Sequence, residues 1–429
     1  MNELFDQARR LLIAWKGGRY CFGRGALPEA GRLAARFGEK ALAVCNSAAI
    51  AGRAVAALEA AGIRLAGGSV VPGAGPNTPR SDVFRIATAI IRHRPDLIIA
   101  IGGGSTIDAC KAANCLAVLG TDKPAEIDPC FGTGLVSAAL EESGGKLYPL
   151  LAIQTAAGSG AHLTKYANVT DTALGQKKLI VDDAIVPPCA LFDYDLSASA
   201  PLPITLDGIM DSIAHCFEAF SGLPADAPQE KRDLAALLTK TAVGLTLRYA
   251  PLLVKDPANL EAREALGLAA DLGGYAIMTG GTHGPHMISF SLVDLAGHGS
   301  ACGIMNPYFA AFFAPAIEPQ LRVMGNIFKQ YGYISENLER LSTAELGLAV
   351  AKGMIAFGKA AGAPTALQEL PRWNNAYVDK ILEAAKDPQL AMKLKNMPIP
   401  LNAGMVDQYL RPVILAAVSG DFSLLYGKR

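Results

Sequence analysis

The feature that most constrains this chain is one segment, DLIIAIGGGSTIDACKAA at residues 96–113. It reads as an apolar run, three consecutive glycines, a Ser-Thr pair and then a helical pattern. A short apolar run bounded in this way is a buried strand, and strand-to-helix units of this kind build parallel sheets. Glycines at 102–104 let backbone approach a ligand because no Cβ intervenes. Ser105 or Thr106 can cap the helix that follows, and its first N–H groups and positive dipole end suit a phosphate. The segment matches neither G-x-G-x-x-G nor the P-loop pattern. A tight strand–helix turn with no ligand is the competing reading.

The flanking sequence keeps the same rhythm. Residues 40–45 predict a strand, 48–61 an alanine-rich helix and 68–72 a short second strand. Residues 82–93 have helical periodicity and lead into a strand at 96–101, then a helix at 105–119, with further strands at 148–153 and 190–192. This alternation predicts an α/β domain, a parallel sheet with helices on both faces. From about Ser197 long helical patterns take over, at 209–220, 231–249, 260–278 and 344–361. The segment SASAPLPI, with two prolines that break regular structure, marks the boundary. A chain of 429 residues is too long for one ordinary core. The expected organisation is therefore an α/β domain at 1–197 and an all-α domain at 198–429.

Composition narrows the function. Apolar residues make up 51% and charged ones 18%, which describes a well-buried globular protein. Lys+Arg and Asp+Glu both number 39, so the basic surplus typical of a nucleic-acid binder is missing. The opening MNELFD is acidic and is not a secretory signal. No apolar run approaches the roughly 18–20 residues needed to span a bilayer. The eight cysteines are scattered without a C-x-x-C pair, so neither a disulfide framework nor a zinc knuckle is expected, and a reducing cytoplasm is the simplest home.

Of only six histidines, four fall where metal chemistry could use them. Asp211 and His215 are spaced i, i+4 in a helical pattern and share a face. His283, His286 and His298 follow within sixteen positions. An isolated histidine is more often a hydrogen-bonded structural residue; this concentration points to a site. A carboxylate with several imidazoles suits Fe²⁺ or Zn²⁺. Spacing alone leaves open which three histidines bind.

Taken together, these motifs resemble the iron-containing, or group III, alcohol dehydrogenases over about residues 40–307. The family's glycine signature is matched by Gly102, Gly103, Gly104, Ser105, Asp108 and Lys111, which implies a loop for the pyrophosphate of NAD(P). The family's T-T-A-G-T-G-S-E segment is similar to QTAAGSGAH, which keeps Thr155, Gly158 and Gly160 and carries His162 in place of the usual Glu. KLIVDD resembles the stretch whose lysine approaches the nicotinamide ribose, implying Lys178. Asn46 stands where the family often has an Asp that favours NAD, so both NAD and NADP are admissible. The metal helix G-x-D-x-x-x-H-x-x-E is matched by residues 209–218, with Ile209 in place of Gly, implying Asp211 and His215 as ligands. Aligning residues 273–277 with the family implies His286 as the third ligand and His298 as the fourth. A second alignment makes His283 the third ligand. In the first, His283 becomes the candidate for relaying a proton to solvent.

The resemblance implies a metal-dependent, NAD(P)-linked alcohol dehydrogenase or aldehyde reductase. In it the dinucleotide lies over Gly102–Ser105 and a bound Fe²⁺ or Zn²⁺ polarises the oxygen of a small alcohol or aldehyde. A dimer or larger homo-oligomer fits the family's habit. Two rivals stand beside it. Sugar-phosphate cyclases and polyol-phosphate dehydrogenases of the dehydroquinate synthase-like group share the two-domain plan, but they need basic residues for a substrate phosphate. Residues 211–222 and 283–299 contain no Lys or Arg, which favours an uncharged or lightly charged substrate. The other rival is a non-catalytic nucleotide- or metal-sensing protein.

Overall fold

The computed structural model of the protein describes residues 3–120 and 127–426. Two compact units divide the chain. One spans Leu12–Ala200, and the other spans Pro201–Arg429 together with the N-terminal segment ending at Leu11.

The first unit contains nine strands: β1 Tyr20–Gly23, β2 Lys40–Cys45, β3 Arg64–Leu65, β4 Leu97–Gly102, β5 Gly132–Thr133, β6 Leu150–Gln154, β7 Tyr166–Asp171, β8 Gln176–Val181 and β9 Cys189–Asp193. Its helices are α2 Glu29–Ala34, α3 Ala48–Glu59, α4 Arg80–His93, α5 Gly104–Leu119 and α6 Leu135–Ser143; α1, Glu3–Lys16, runs into this unit from the other. Six strands form one wholly parallel sheet in the order β1-β9-β6-β4-β2-β3. The apolar runs KALAVC and LIIAIG form its centre because a parallel strand buried on both faces can be apolar at every position. Alternate side chains point to opposite faces. Leu42, Val44, Ile98, Ala100 and Ala152 pack with Val83 and Ile86 of α4 and Ile107 of α5. Ala41, Leu97, Ile99, Ile101 and Ile153 pack instead with Leu33 of α2 and Ala54 and Leu58 of α3. Each buried Leu or Ile contributes about 1.5–3 kcal/mol, so this double face holds the sheet together.

The sheet order also places the ligand crevice. The chain runs from β2 outward to β3, then returns to β4 on the other side of β2. The direction reverses between β2 and β4, and in open α/β sheets ligands bind outside the carboxyl ends of the strands at such a point. Those ends are Cys45 and Gly102, with Asn46 and Gly103 next in the chain.

Two expectations need correction. The second strand lies at Arg64–Leu65, not at 68–72; Ala66–Gly68 is a 3-10 turn with Gly67 at φ 77, and Val71 makes only an isolated bridge to Val44. Residues 132–181 hold more than the alternation predicts: α6 and a small sheet in which β8 pairs parallel with β5 and antiparallel with β7. The division between units falls after Ala200, inside the segment SASAPLPI, and residues up to Leu11 group with the helical unit.

The second unit has no strand among its described residues. Its helices are α7 Leu202–Ser221, α8 Gln229–Lys255, α9 Leu260–Thr279, α10 Gly284–Ser289, α11 His298–Phe312, α12 Glu318–Gln330, α13 Thr343–Ala360, α14 Ala376–Ala385, α15 Ala391–Lys395 and α16 Val406–Ser419. Helix α7 packs against α8, α9 and α11, and every residue from Gly208 to Ser221 is buried. A helix covered on all sides should be apolar all round. This one carries Asp211, His215 and Glu218 at its centre, and buried polar groups of that kind require partners. Among the described residues, no helix is long and apolar enough to cross a membrane.

Candidate functional site

In the α/β unit, α5 begins at Gly104 with Gly103 as its N-cap, and no side chain bonds the helix end. This corrects the expectation that Ser105 or Thr106 caps it: the Thr106 hydroxyl accepts from the Ala74 N–H at 3.3 Å, and the Ser105 carbonyl accepts from Thr78 Oγ1 at 3.1 Å. The first N–H groups of α5 therefore carry no side-chain cap, and a helix N-terminus of this kind can receive a phosphate. A Cβ on Gly104 would come within 2.6 Å of Ser159 Oγ, so this position must be glycine for the two loops to meet. Thr155 lies at the same place, its N–H donating to Gly102 O at 3.1 Å. Asn46 is exposed at the end of β2, with Nδ2 bonded to Ala74 O at 2.8 Å. Asn77 and Thr78 both have positive φ, 61° and 54°. A β-branched residue there costs about 1–3 kcal/mol, and such strain persists where the surroundings over-determine it.

Asp108 and Lys111 do not face the loop's open side. Asp108 is buried and accepts from Asn168 N–H at 2.9 Å. Lys111, also buried, donates to the carbonyls of Ala161, Thr164 and Tyr166 at 2.6, 2.8 and 2.8 Å. Both tie α5 to the chain that follows the second glycine loop. Lys178 lies 3.3 Å from Asp128 and over the Phe131 ring. Its strand neighbour Lys177 points the opposite way, is buried, and is close enough for its charge to act on Asp108. His162 is a core residue, bonded to Tyr20 Oη at 3.2 Å and packed edge-on against Phe192.

In the helical unit, four expected residues converge. The Nε2 atoms of His215, His286 and His298 lie 3.4, 3.4 and 3.9 Å from one oxygen, Asp211 Oδ1. Asp211 and His215 come from one face of α7, His286 from α10 and His298 from the first turn of α11. Close packing brings these helices together. A Cβ on Gly299 would sit 1.9 Å from Asp207 O, and the Asp207 carboxylate receives the Gly299 and Ser300 N–H groups at 3.2 and 2.8 Å, pinning the start of α11 on α7. Gly273 of α9 lies beside His215, where a Cβ would make an ordinary contact with the side chain at 3.4 Å.

Two of the imidazoles are oriented by hydrogen bonds at Nδ1. Glu218 Oε1 lies 2.6 Å from His286 Nδ1, and Glu218 is fully buried. Ser289 Oγ donates to His286 O at 2.7 Å and so accepts from His298 Nδ1 at 3.1 Å. Hydrogen bonds at Nδ1 leave Nε2 of both rings directed inward, the orientation found around metal ions. Burial disfavours a second proton on His286, but Cys302, Glu218 and Asp211 around it outweigh burial and raise it well above the ordinary histidine value. Burial pushes the Asp211 and Glu218 carboxyls up, but the surrounding imidazoles outweigh it. Both are held below the ordinary carboxylate range, Glu218 at about 2. Burial lowers His215 to about 4, which keeps it neutral. Asp211 Oδ1 and His286 Nε2 are buried and have no hydrogen-bond partner. Acceptor atoms crowded into a buried space are costly unless a cation, a proton or a metal ion, stands among them. The donor set therefore fits a divalent metal.

His283 stands outside this convergence. Its backbone N–H donates to Glu218 Oε2 at 2.8 Å, its Nδ1 caps α10 through Gly284 N–H at 2.7 Å, and its Nε2 meets Ser221 Oγ at 3.1 Å. The ring is fully buried and lowered to about 4 by that burial. These are the contacts of a brace for Glu218, and they do not fit a relay that opens to solvent. Three residues near the cluster escaped the sequence reading of the site. Glu218 was visible in the D-x-x-x-H-x-x-E pattern but was given no role. Cys302, one helical turn after His298, joins Asp211, His286 and His298 in a group whose ligand atoms all lie within 4.8 Å of one another. Lys393 of α15 bonds Thr282 Oγ1, lies over the Phe290 ring and is buried, and its charge acts on Glu218, Cys302 and Asp211. No local motif announces it. The segments that carry the cluster lack basic residues, as their sequence says, but the fold supplies one from elsewhere.

Comparison with known proteins gives a consistent identity. The sequence profile of iron-containing alcohol dehydrogenases matches residues 17–194, and that of the C-terminal region of the same family matches residues 205–406. An NAD-dependent methanol dehydrogenase of Bacillus methanolicus is 28% identical over 81% of this chain and 86% of its own. Among solved structures, an archaeal halo-thermophilic alcohol dehydrogenase from a Red Sea brine pool superposes with a TM-score of 0.78 at 18% identity, over 93% of this chain and 96% of that one. A sulfoacetaldehyde reductase of Bifidobacterium kashiwanohense, solved with NAD+, has a TM-score of 0.70 at 25% identity over 92% and 96% of the two chains. The chain belongs to the iron-containing alcohol dehydrogenase family.

Proposed function

We propose that this protein interconverts a small alcohol and its aldehyde by hydride transfer with NAD or NADP, using a metal held by Asp211, His215, His286 and His298. The observation that carries the reading is the convergence of three imidazole Nε2 atoms on one buried, unpartnered carboxylate oxygen. A divalent ion there, Fe²⁺ or Zn²⁺, supplies Lewis acidity toward an alcohol or aldehyde oxygen, and the nicotinamide supplies the hydride acceptor or donor. Glu218 and Ser289 keep His286 and His298 in the ligating tautomer. Gly102, Gly103, Gly104 and Ser105, with Thr155 beside them, receive the pyrophosphate at the start of α5. Asn46, at the end of β2, faces the adenosine ribose; a neutral side chain there repels a 2′-phosphate less than a carboxylate does. Of the two lysines on β8, Lys177 is better placed than Lys178 to reach the dinucleotide, because it is directed toward α5. Burial of Glu218 and His283 keeps bulk water from the rear of the metal site. The eight cysteines are free thiols, which supports a reducing, cytoplasmic location. A dimer or larger assembly belongs to the same reading by family likeness.

The test is reconstitution of the purified protein with Fe²⁺ or Zn²⁺ and assay of NADH and NADPH oxidation against short-chain aldehydes. Turnover that vanishes with the metal and in His286→Ala supports the reading. A metal-loaded enzyme inert toward a broad panel of alcohols and aldehydes contradicts it.

Lys393 favours a second reading of the substrate. A buried ammonium beside the metal ligands suits an aldehyde that carries a carboxylate, sulfonate or phosphonate, and the likeness to a sulfoacetaldehyde reductase is in keeping with that. On this reading Lys393→Met lowers kcat/KM for anionic aldehydes by at least about tenfold more than for neutral ones of equal length, since a charge-assisted hydrogen bond contributes about 1.5–3 kcal/mol. Equal losses for both kinds would leave Lys393 as a counter-ion to Glu218.

A further inference from the structure

Cys302 has the same claim on the metal as the imidazoles around it. It lies four residues after His298 on α11, so the two side chains share a helix face. Its thiol is completely buried. One ligand atom each from Asp211, His286, His298 and Cys302 can be chosen so that all four lie within 4.8 Å of one another. Glu218 and Ser289 hold the Nδ1 protons of His286 and His298 on the far sides of the rings. The atoms gathered on the near side are a carboxylate oxygen, imidazole nitrogens and the thiol sulfur. A small apolar residue would close this space without adding another lone pair. The sulfur adds one.

We infer that Cys302 is a ligand of the metal, as a thiolate, in addition to the carboxylate and imidazole set. The inference rests on the metal-site reading above and extends it to the kind of metal. On binding, the S–H bond breaks, the proton leaves to solvent and a sulfur–metal bond forms, with no change in oxidation state. Charge is balanced in the buried space: Asp211, Glu218 and the thiolate face a divalent ion and the Lys393 ammonium. Thiolate is a soft donor and shifts a nitrogen-and-oxygen site toward Zn²⁺ over Fe²⁺. It also adds one proton to those released when the metal binds.

X-ray absorption at the zinc edge of the full-length, zinc-reconstituted protein tests this without any substitution. The expected result is one sulfur at about 2.3 Å among nitrogen and oxygen neighbours at about 2.0–2.2 Å. A shell of nitrogen and oxygen alone overturns the proposal and leaves the metal site standing. Failure of the wild type to take up any zinc or cobalt overturns both. The cobalt-substituted protein gives an independent readout. A near-ultraviolet sulfur-to-cobalt charge-transfer band is expected in the wild type and is lost in Cys302→Ser, while the visible bands of bound cobalt remain; His286→Ala loses both. In anaerobic competition between equal Fe²⁺ and Zn²⁺, Cys302→Ser takes up a larger share of iron than the wild type. An unchanged share, or a charge-transfer band that survives the substitution, counts against Cys302 as the ligand.

Discussion

Lys111 in the α/β unit and Asp211 in the helical unit are both buried ionic groups on long helices, and the chain treats them in opposite ways. Lys111 donates all three of its ammonium protons to carbonyls of Ala161, Thr164 and Tyr166, with Asp108 one turn away on the same helix. Asp211 faces three imidazole nitrogens at 3.4–3.9 Å and its Oδ1 has no hydrogen-bond partner. A buried charge that the polypeptide completes by itself is architecture. One that it leaves incomplete, in a core otherwise packed tightly, is reserved for something that arrives later. The difference also separates stability from activity, because completing the second site with protein atoms should remove its function while removing its cost.

That contrast can be broken most forcefully at Asp211. Asp211→Asn keeps the shape but offers an N–H to the imidazole lone pairs. Metal content and turnover should fall by more than about 100-fold, beyond the loss usual for a residue that merely supports a ligand. The denaturation midpoint of the metal-free protein should hold or rise. A metal-free variant markedly less stable than the metal-free wild type would mean that Asp211 has structural partners after all.

At Lys111 the expectation reverses. Lys111→Met leaves three carbonyls and Asp108 without their cation, and loss of one partner from a buried ionic arrangement costs about 3–5 kcal/mol. Chemical denaturation should show that loss, with metal content per folded chain unchanged. If stability is kept and only the dinucleotide KM rises, Lys111 belongs to the cofactor site.

A smaller effect is expected behind the ligands. Glu218→Gln keeps the hydrogen bond to His286 but removes the charge, and such partners are usually worth about 10–100-fold in metal affinity or activity. Titration of the metal-free variant with Zn²⁺ measures it; wild-type affinity would show that the carboxylate serves only to brace His283. The smallest effect is at Asn46. Asn46→Asp should move the ratio of kcat/KM for NADP and NAD toward NAD by about tenfold, equivalent to about 1.4 kcal/mol. An unchanged ratio would place the ribose hydroxyls elsewhere.

How much of this was legible in the sequence follows from how local each signal is. β2, β4 and α5 stand out because continuous apolar runs and a glycine turn occur within a few residues. The small sheet was missed because YANVTD and QKKLIV mix lysine, asparagine and aspartate with their apolar positions, and only tertiary packing makes them strands. The same strand shows why Lys178 was chosen over Lys177: neighbouring positions face opposite ways, and a one-residue difference in register exchanges them. Asp211 and His215 could be read from i, i+4 spacing, and His286 from the likeness of the preceding helix. Cys302 had the same i, i+4 relation to His298, but eight cysteines scattered without a C-x-x-C pair gave no reason to single it out. Lys393, more than ninety residues beyond His298 in the chain, is brought to Thr282 and Phe290 only by the fold.

The central claim is that the incomplete cluster around Asp211 exists to hold a metal. Elemental analysis of protein purified without air and reconstituted with Fe²⁺ or Zn²⁺, wild type beside His286→Ala, tests it most directly. The account predicts a single tightly held divalent ion per wild-type chain and none in the variant. A wild type that stays metal-free, or a variant that keeps its metal, would contradict it.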